Sequence, residues 1–365
     1  MEIEKLNGFI HENLVNRRNA TPYGLLRNIA EQMTFGIKIP DRRFPAIKQK
    51  MEIDRAKKIV LDFFKSVDEQ WYEKAKAIIE GKSEFEFHIY YKDEISPRLM
   101  DTKRQDGLPL YSSFGCLHSN KNGKGIYVPC ERSIRDVFIL AHEISHSFDY
   151  REIDPPARNL LGEVTSYTFE AMLQQYLLEQ NLISREDATN MEKANIISHY
   201  DDAVETYAKL MLMRIKESRG PGSRITEEDL AQIQQKYHIS DGTFDYILGR
   251  MMGKLAVPEV DYRARYMIAQ LVYPYIMEQY YNNPQETVVR MKHFFEATGQ
   301  NDLERALLSL GIEPKDESIP MLIECNNRRI ERLYRKKLFD AQEKTANLKK
   351  EEPFFQQSGD EPADD

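Results

Sequence analysis

The stretch RDVFILAHEISHSFDY, Arg135 to Tyr150, places His142 and His146 four residues apart, with Glu143 directly behind the first. The whole chain holds only eight histidines, so a pair here is a concentrated use of a scarce residue. An apolar run, Val137 to Ala141, leads into the pair, and Phe148 follows it. That pattern predicts a helix whose imidazoles are carried toward an interior. At about 100° per residue, both rings project from one face, about 40° apart. Imidazoles at that depth are either satisfied by ordinary hydrogen bonds or hold something. A fold for this chain must therefore bury one short helix and supply a second element that closes around its two rings.

Two ring nitrogens one turn apart make a clamp for a tetrahedral metal ion. Glu143, rotated away by about one helical step, can reach a water beside such an ion and take its proton. This is the H-E-x-x-H spacing of zinc metallopeptidases, with Zn2+ as the expected cofactor. The bare motif also arises by chance, more often on a polar surface helix than behind an apolar run. A catalytic site of this kind needs a third protein ligand and one open position. The following segment, DPPARNLLGEVTSYTFEAMLQQYL, contains Glu163 and Glu170, seven residues apart and so on nearly the same helix face. Both sit among core-type residues, where an unpaired carboxylate is expensive. Glu163 is the expected third ligand and Glu170 the supporting carboxylate behind a ligand. Asp149, one turn beyond His146, is a candidate partner for an imidazole N–H and a rival third ligand.

The remaining sequence predicts a mainly α protein with a small β-sheet just before the histidine helix. Thr21 and Pro22 open one helix. Ser66 and Glu69 stand at capping-box spacing before a second, which closes on Gly81. Glu84 to Tyr91, LPLYSSFGCLHS and GKGIYVPC read as three strands, the last two flanking the turn NKNGKG. Beyond Ser133, helices are expected from Asp154 to about Glu179 and near 185–217, 226–237, 243–254, 260–282, 284–297, 301–310 and 319–348. The expected organisation is an N-terminal helical region over 1–82, a catalytic region over 83–348, and a disordered acidic tail over 349–365.

Composition narrows the partners. A net charge of −8 over 365 residues argues against a nucleic-acid surface, and no apolar run approaches the length of a membrane span. Cys116, Cys130 and Cys325 are an odd number without CxxC spacing, which fits free thiols in a reducing compartment. No secretory h-region is visible near Met1, so a cytoplasmic protein is expected. Oligomeric state is not legible.

The stretch RDVFILAHEISHSFD followed by GEVTSYTFEAML resembles the thimet oligopeptidase and oligopeptidase F family of gluzincins. The resemblance implies zinc on His142, His146 and Glu163, with Glu143 as general base, Ser166 at the serine of the second helix, and a peptide or protein substrate. GKGIYVPCERSI resembles the strand beside bound peptide, which implies that Gly125, Ile126 and Val128 pair with substrate backbone. DYRARYMIAQLVYPY resembles the family's C-terminal helix, which implies that Tyr262 and Tyr266 steady the tetrahedral intermediate; Tyr273 and Tyr280 continue their stripe. Where the family usually has a histidine before the first tyrosine, this chain has AVPEVDY, and its Ile144-Ser145 departs from the family pair between the histidines. About 130 residues precede the zinc-type helix, fewer than in family members.

Two further readings follow from the same residues. One is a catalytically inactive metal-binding interaction protein on a peptidase scaffold, favoured by the missing histidine and opposed by the presence of Glu143. The other is a bacterial effector protease exported by a specialised secretion system to act on a host protein, because the acidic tail resembles such export signals.

Overall fold

The structure is a computed structural model that describes residues 23–41, 45, 49–148, 156–220, 223–236, 245, 260–299 and 303–333. It is mainly helical with one three-stranded sheet. Among the described residues, three helices precede the sheet: α1 (Tyr23–Gly36), α2 (Ile53–Val67) and α3 (Glu69–Ile79). The sheet follows as β1 (Glu86–Tyr91), β2 (Cys116–Asn120) and β3 (Gly123–Cys130), and leads into α4 (Arg135–Ser145). Then come α5 (Pro156–Glu179), α6 (Arg185–Arg219), α7 (Glu227–Lys236), α8 (Val260–Asn282), α9 (Pro284–Gly299) and α10 (Leu303–Ser309). Two short helices end the described chain, α11 (Ser318–Asn327) and α12 (Arg329–Arg332).

Local chemistry sets most boundaries, with some departures from expectation. The expected cap at Ser66 is not used: its hydroxyl donates to Phe63 O at 2.7 Å inside α2. Asp68 caps α3 instead, accepting from the N–H groups of Gln70 and Trp71 at 3.1 and 3.3 Å. Its side chain reaches two donors where the serine two residues earlier reaches none. The stop at Gly81 stands as expected, at φ +65°, a conformation open to glycine. The strand expected from Leu108 begins only at Cys116. The helix expected over 319–348 breaks at Arg328, where φ is −88° and ψ 4°, and its part beyond 333 lies outside the described residues. The caps at Thr21 and Pro22, the helix near 243–254 apart from Asp245, and the tail also lie outside them.

Strand order corrects one functional expectation. β3 is the central strand, parallel to β1 on one side and antiparallel to β2 on the other, with Gly125 facing both Glu86 and His118. Ile126, Tyr127 and Val128 are fully buried. Gly125 and Ile126 are thus paired on both edges and not open to a peptide, whereas Val128 pairs only with Ile89 of β1, because the β2 register ends at Tyr127. The continuous apolar run GIYV is what a strand covered on both faces carries.

An aromatic cluster fixes the helices around the histidine segment. Phe148, just beyond α4, lies against Trp71 of α3 and Phe169 of α5, with ring centroids 6.1 and 5.5 Å apart. Phe64 of α2 and Phe295 of α9 complete the group. Helices α5 and α8 pack against each other and, with α6, form the main helical layer. Buried Asp136 ties the turn before α4 by accepting from the N–H groups of Glu131 and Ser133 at 2.9 and 3.1 Å.

Candidate active site

His142 sits in α4 and His146 caps its end, still with helical angles. The single turn between them brings His142 Nε2 within 3.1 Å of His146 Nε2. Glu163, from the second turn of α5, places Oε2 3.4 Å from the first nitrogen and 3.6 Å from the second. Donors to a tetrahedral ion with bonds of about 2.0–2.2 Å stand about 3.3–3.6 Å apart. The three atoms therefore have the spacing of one face of a tetrahedral zinc site. His142, Glu143 and His146 offer ligand atoms within 4.8 Å of one another, so this group could hold a metal ion. Of the two carboxylates, Glu163 fits the ligand position better, because Glu143 approaches His142 Nε2 only to 4.0 Å.

Glu143 is 5% exposed, and its Oε2 is buried with no hydrogen-bond partner among the described residues. A buried carboxylate oxygen left without a donor is a place for a water or a substrate proton. Burial pushes the Glu143 carboxyl up to about 8, and the neighbouring charges of Glu163 and Glu170 add to it. Burial also acts against ionised Glu163, but the imidazoles of His146 and His142 and the Arg265 guanidinium outweigh it and hold this carboxyl well below the usual range. For His142 burial opposes the charged ring, and the surrounding carboxylates of Glu163 and Glu170 overcome it, raising the ring well above its ordinary value. Two adjacent carboxyls are thus driven apart: one is an anion suited to ligation, the other a proton carrier.

The supporting residues meet the same centre. Glu170 Oε1 lies 2.5 Å from His142 Nδ1, which fixes that nitrogen as the protonated one and turns Nε2 toward Glu163. Ser166 donates to Glu163 Oε2 at 3.2 Å. Tyr266 is also here: Arg265 donates to its hydroxyl at 3.1 Å, while Arg265 Nε lies 3.6 Å from Glu163 Oε1. Tyr273 is buried and its hydroxyl donates to Glu192 at 3.3 Å; Tyr280 is buried as well, so the far part of the stripe is packing. Asp149 and the side chain of Tyr262 lie outside the described residues.

Two participants escaped the sequence reading. Gly115 abuts Glu143, and a Cβ built there would lie 2.4 Å from Oε1. An isolated glycine at the start of a strand can mark such a close approach, which is the signal that was available. Arg265 carried no signal, since only the packing of α8 on α5 sets its guanidinium beside Glu163. A cavity of about 330 Å³ opens on His142 and Glu143 and runs between α4, α5 and α6.

Among solved structures, the fold matches one assigned as a peptidase from Chlamydophila abortus, 13% identical, with a TM-score of 0.57 over 91% of this chain and 62% of that one. It also matches PZ peptidase A, solved with an inhibitor, 13% identical, with a TM-score of 0.50 over 90% of this chain and 58% of that one. The chain thus spans about six-tenths of the length of each. No protein-family model and no curated protein matches the chain. At these identities the likeness establishes the fold, that of mainly helical peptidases. Among the described residues, no helix is long and apolar enough to cross a membrane.

Proposed function

We propose that the chain is a zinc-dependent endopeptidase of the gluzincin type, related to thimet oligopeptidase and oligopeptidase F. In this reading His142, His146 and Glu163 hold the metal and Glu143 is the general base. The carrying observation is the convergence of two imidazole nitrogens and Glu163 Oε2 at 3.1, 3.4 and 3.6 Å beside an unpartnered Glu143 oxygen. A site that only stored metal would not need a third carboxylate in its wall, one whose Oε2 has no hydrogen-bond partner among the described residues.

Zinc held there would polarise a peptide carbonyl and acidify a water. The chain's own residues supply the rest. Glu143 takes the proton from the attacking water and returns it to the departing amine nitrogen. The O–H of Tyr266 and the charge of Arg265 lie on the Glu163 side, suited to a developing oxyanion. Glu170 holds the His142 tautomer in place. The peptide backbone is expected along Gly115 and the outer edge of β2, since β2 already pairs with β3 from Gly123 to Tyr127.

The test is cleavage of an unbiased peptide library by wild-type protein and Glu143→Gln at equal zinc content. The proposal expects cleavage to fall about 10²–10⁴-fold in the variant. Equal cleavage by both proteins, or none by zinc-loaded wild type, would reject it.

A further inference from the structure

The cavity that opens on the site has a polarity that the peptidase reading alone does not explain. Its floor is one stripe of α4, because Arg135, Phe138, Ile139 and His142 all line it. Arg135 precedes His142 by seven residues, two turns, so both leave nearly the same face about 10 Å apart along the axis. An extended peptide rises about 3.3 Å per residue, so that distance is about three residues. Arg135 therefore marks the cavity's far end as His142 and Glu143 mark its near end.

The charges in the cavity wall are nearly all spoken for. Glu170 is engaged by His142 at 2.5 Å, and Glu192 by Arg329 Nε at 2.7 Å and by Tyr273. Glu131 pairs with Lys92 at 3.2 Å. The adjacent Asp136 is turned inward onto the backbone N–H groups of Glu131 and Ser133. Among the described residues no carboxylate lies within 4.0 Å of the Arg135 guanidinium, and the residue is exposed. Apolar Phe138 and Ile139 separate this cation from the catalytic end, and Asn195 adds an amide to the opposite wall. A wall that is apolar in the middle and cationic at one end suits a short peptide carrying an anion at its far end.

We propose that Arg135 binds a carboxylate of the peptide two or three residues from the bond that is cut. This selects peptides with an acidic side chain or a free C-terminus at that distance. The inference rests on the peptidase reading, and its test separates the two. Four peptides share one cleavage site. Two end three residues beyond it, as free acid or amide, and two run on with Asp or Asn at that position. Wild type, Arg135→Gln and Arg135→Lys are compared by chromatographic rates. In parallel, calorimetry measures binding of the short free-acid and amide peptides to zinc-loaded Glu143→Gln with and without Arg135→Gln.

The expected result is that wild type prefers one carboxylate-bearing peptide over its neutral twin by about tenfold, chiefly through KM. Arg135→Gln shrinks that ratio below about twofold, and Arg135→Lys restores part of it. Which pair shows the preference tells a chain end from a side chain. A ratio near one in wild type, or an unchanged ratio in Arg135→Gln, overturns the inference while cleavage itself upholds the peptidase reading. If wild type cuts nothing, the peptidase reading falls. The calorimetric arm then judges Arg135: equal acid and amide affinities overturn the assignment, and an acid preference lost with Arg135→Gln supports it.

Discussion

At the scale of single residues, the centre is a set of proton equilibria that a metal would reorganise. Metal-free, His142 keeps its proton because the carboxylates of Glu163 and Glu170 face it despite burial, and Glu143 holds one up to about pH 8. A metal needs the His142 nitrogen bare, so binding releases the proton that the raised value retains. Zinc affinity should therefore fall about tenfold per pH unit for each displaced proton as pH drops below that raised value. Calorimetry in buffers of different ionisation heat should count between one and two protons released near pH 7; no release would contradict the assignment. Glu170→Gln leaves the fold intact but weakens the grip on His142 Nδ1, and zinc affinity by chelator competition should drop about 10–100-fold. Gly115→Ala drives a methyl into Glu143 Oε1, and kcat should fall while zinc content holds, because the base moves and the ligands do not.

At the scale of elements, the site depends on α4 and α5 being held at fixed depth. Asp68 joins two supports, capping α3 and accepting from Lys292 of α9 at 2.7 Å. Asp68→Ala should cost about 1–2 kcal/mol in urea unfolding, mostly from the lost cap; a change below about 0.3 kcal/mol would show that the cap contributes little. The same scale explains what could be read in advance. His142 and His146 lie one helical turn apart, so periodicity alone placed their rings on one face, with Glu143 about one helical step away. Glu163 stood out because a carboxylate among core residues needs a reason. Gly125 and Ile126 misled because strand order is set by pairing across the chain. Their apolar run signalled a buried central strand, while the family likeness pointed to an open edge. Arg265 and Arg135 gain meaning only from the neighbours that tertiary packing brings, and no local pattern encodes those.

For the whole molecule, the helices are assembled so that the histidine helix is buried between the sheet and the α5–α8 layer. A ligand that binds only this folded arrangement stabilises all of it. At free zinc a thousandfold above Kd the gain is about 4 kcal/mol, so removing zinc with a chelator should lower Tm by several degrees. The claim on which the account rests is that Glu163 closes the site opened by the two histidines. The direct measurement is zinc stoichiometry and affinity of folded wild type, Glu143→Gln and Glu163→Ala. The account predicts about one tightly held zinc per chain in the first two and loss of tight binding in the third. Zinc held as tightly by Glu163→Ala as by wild type would contradict it.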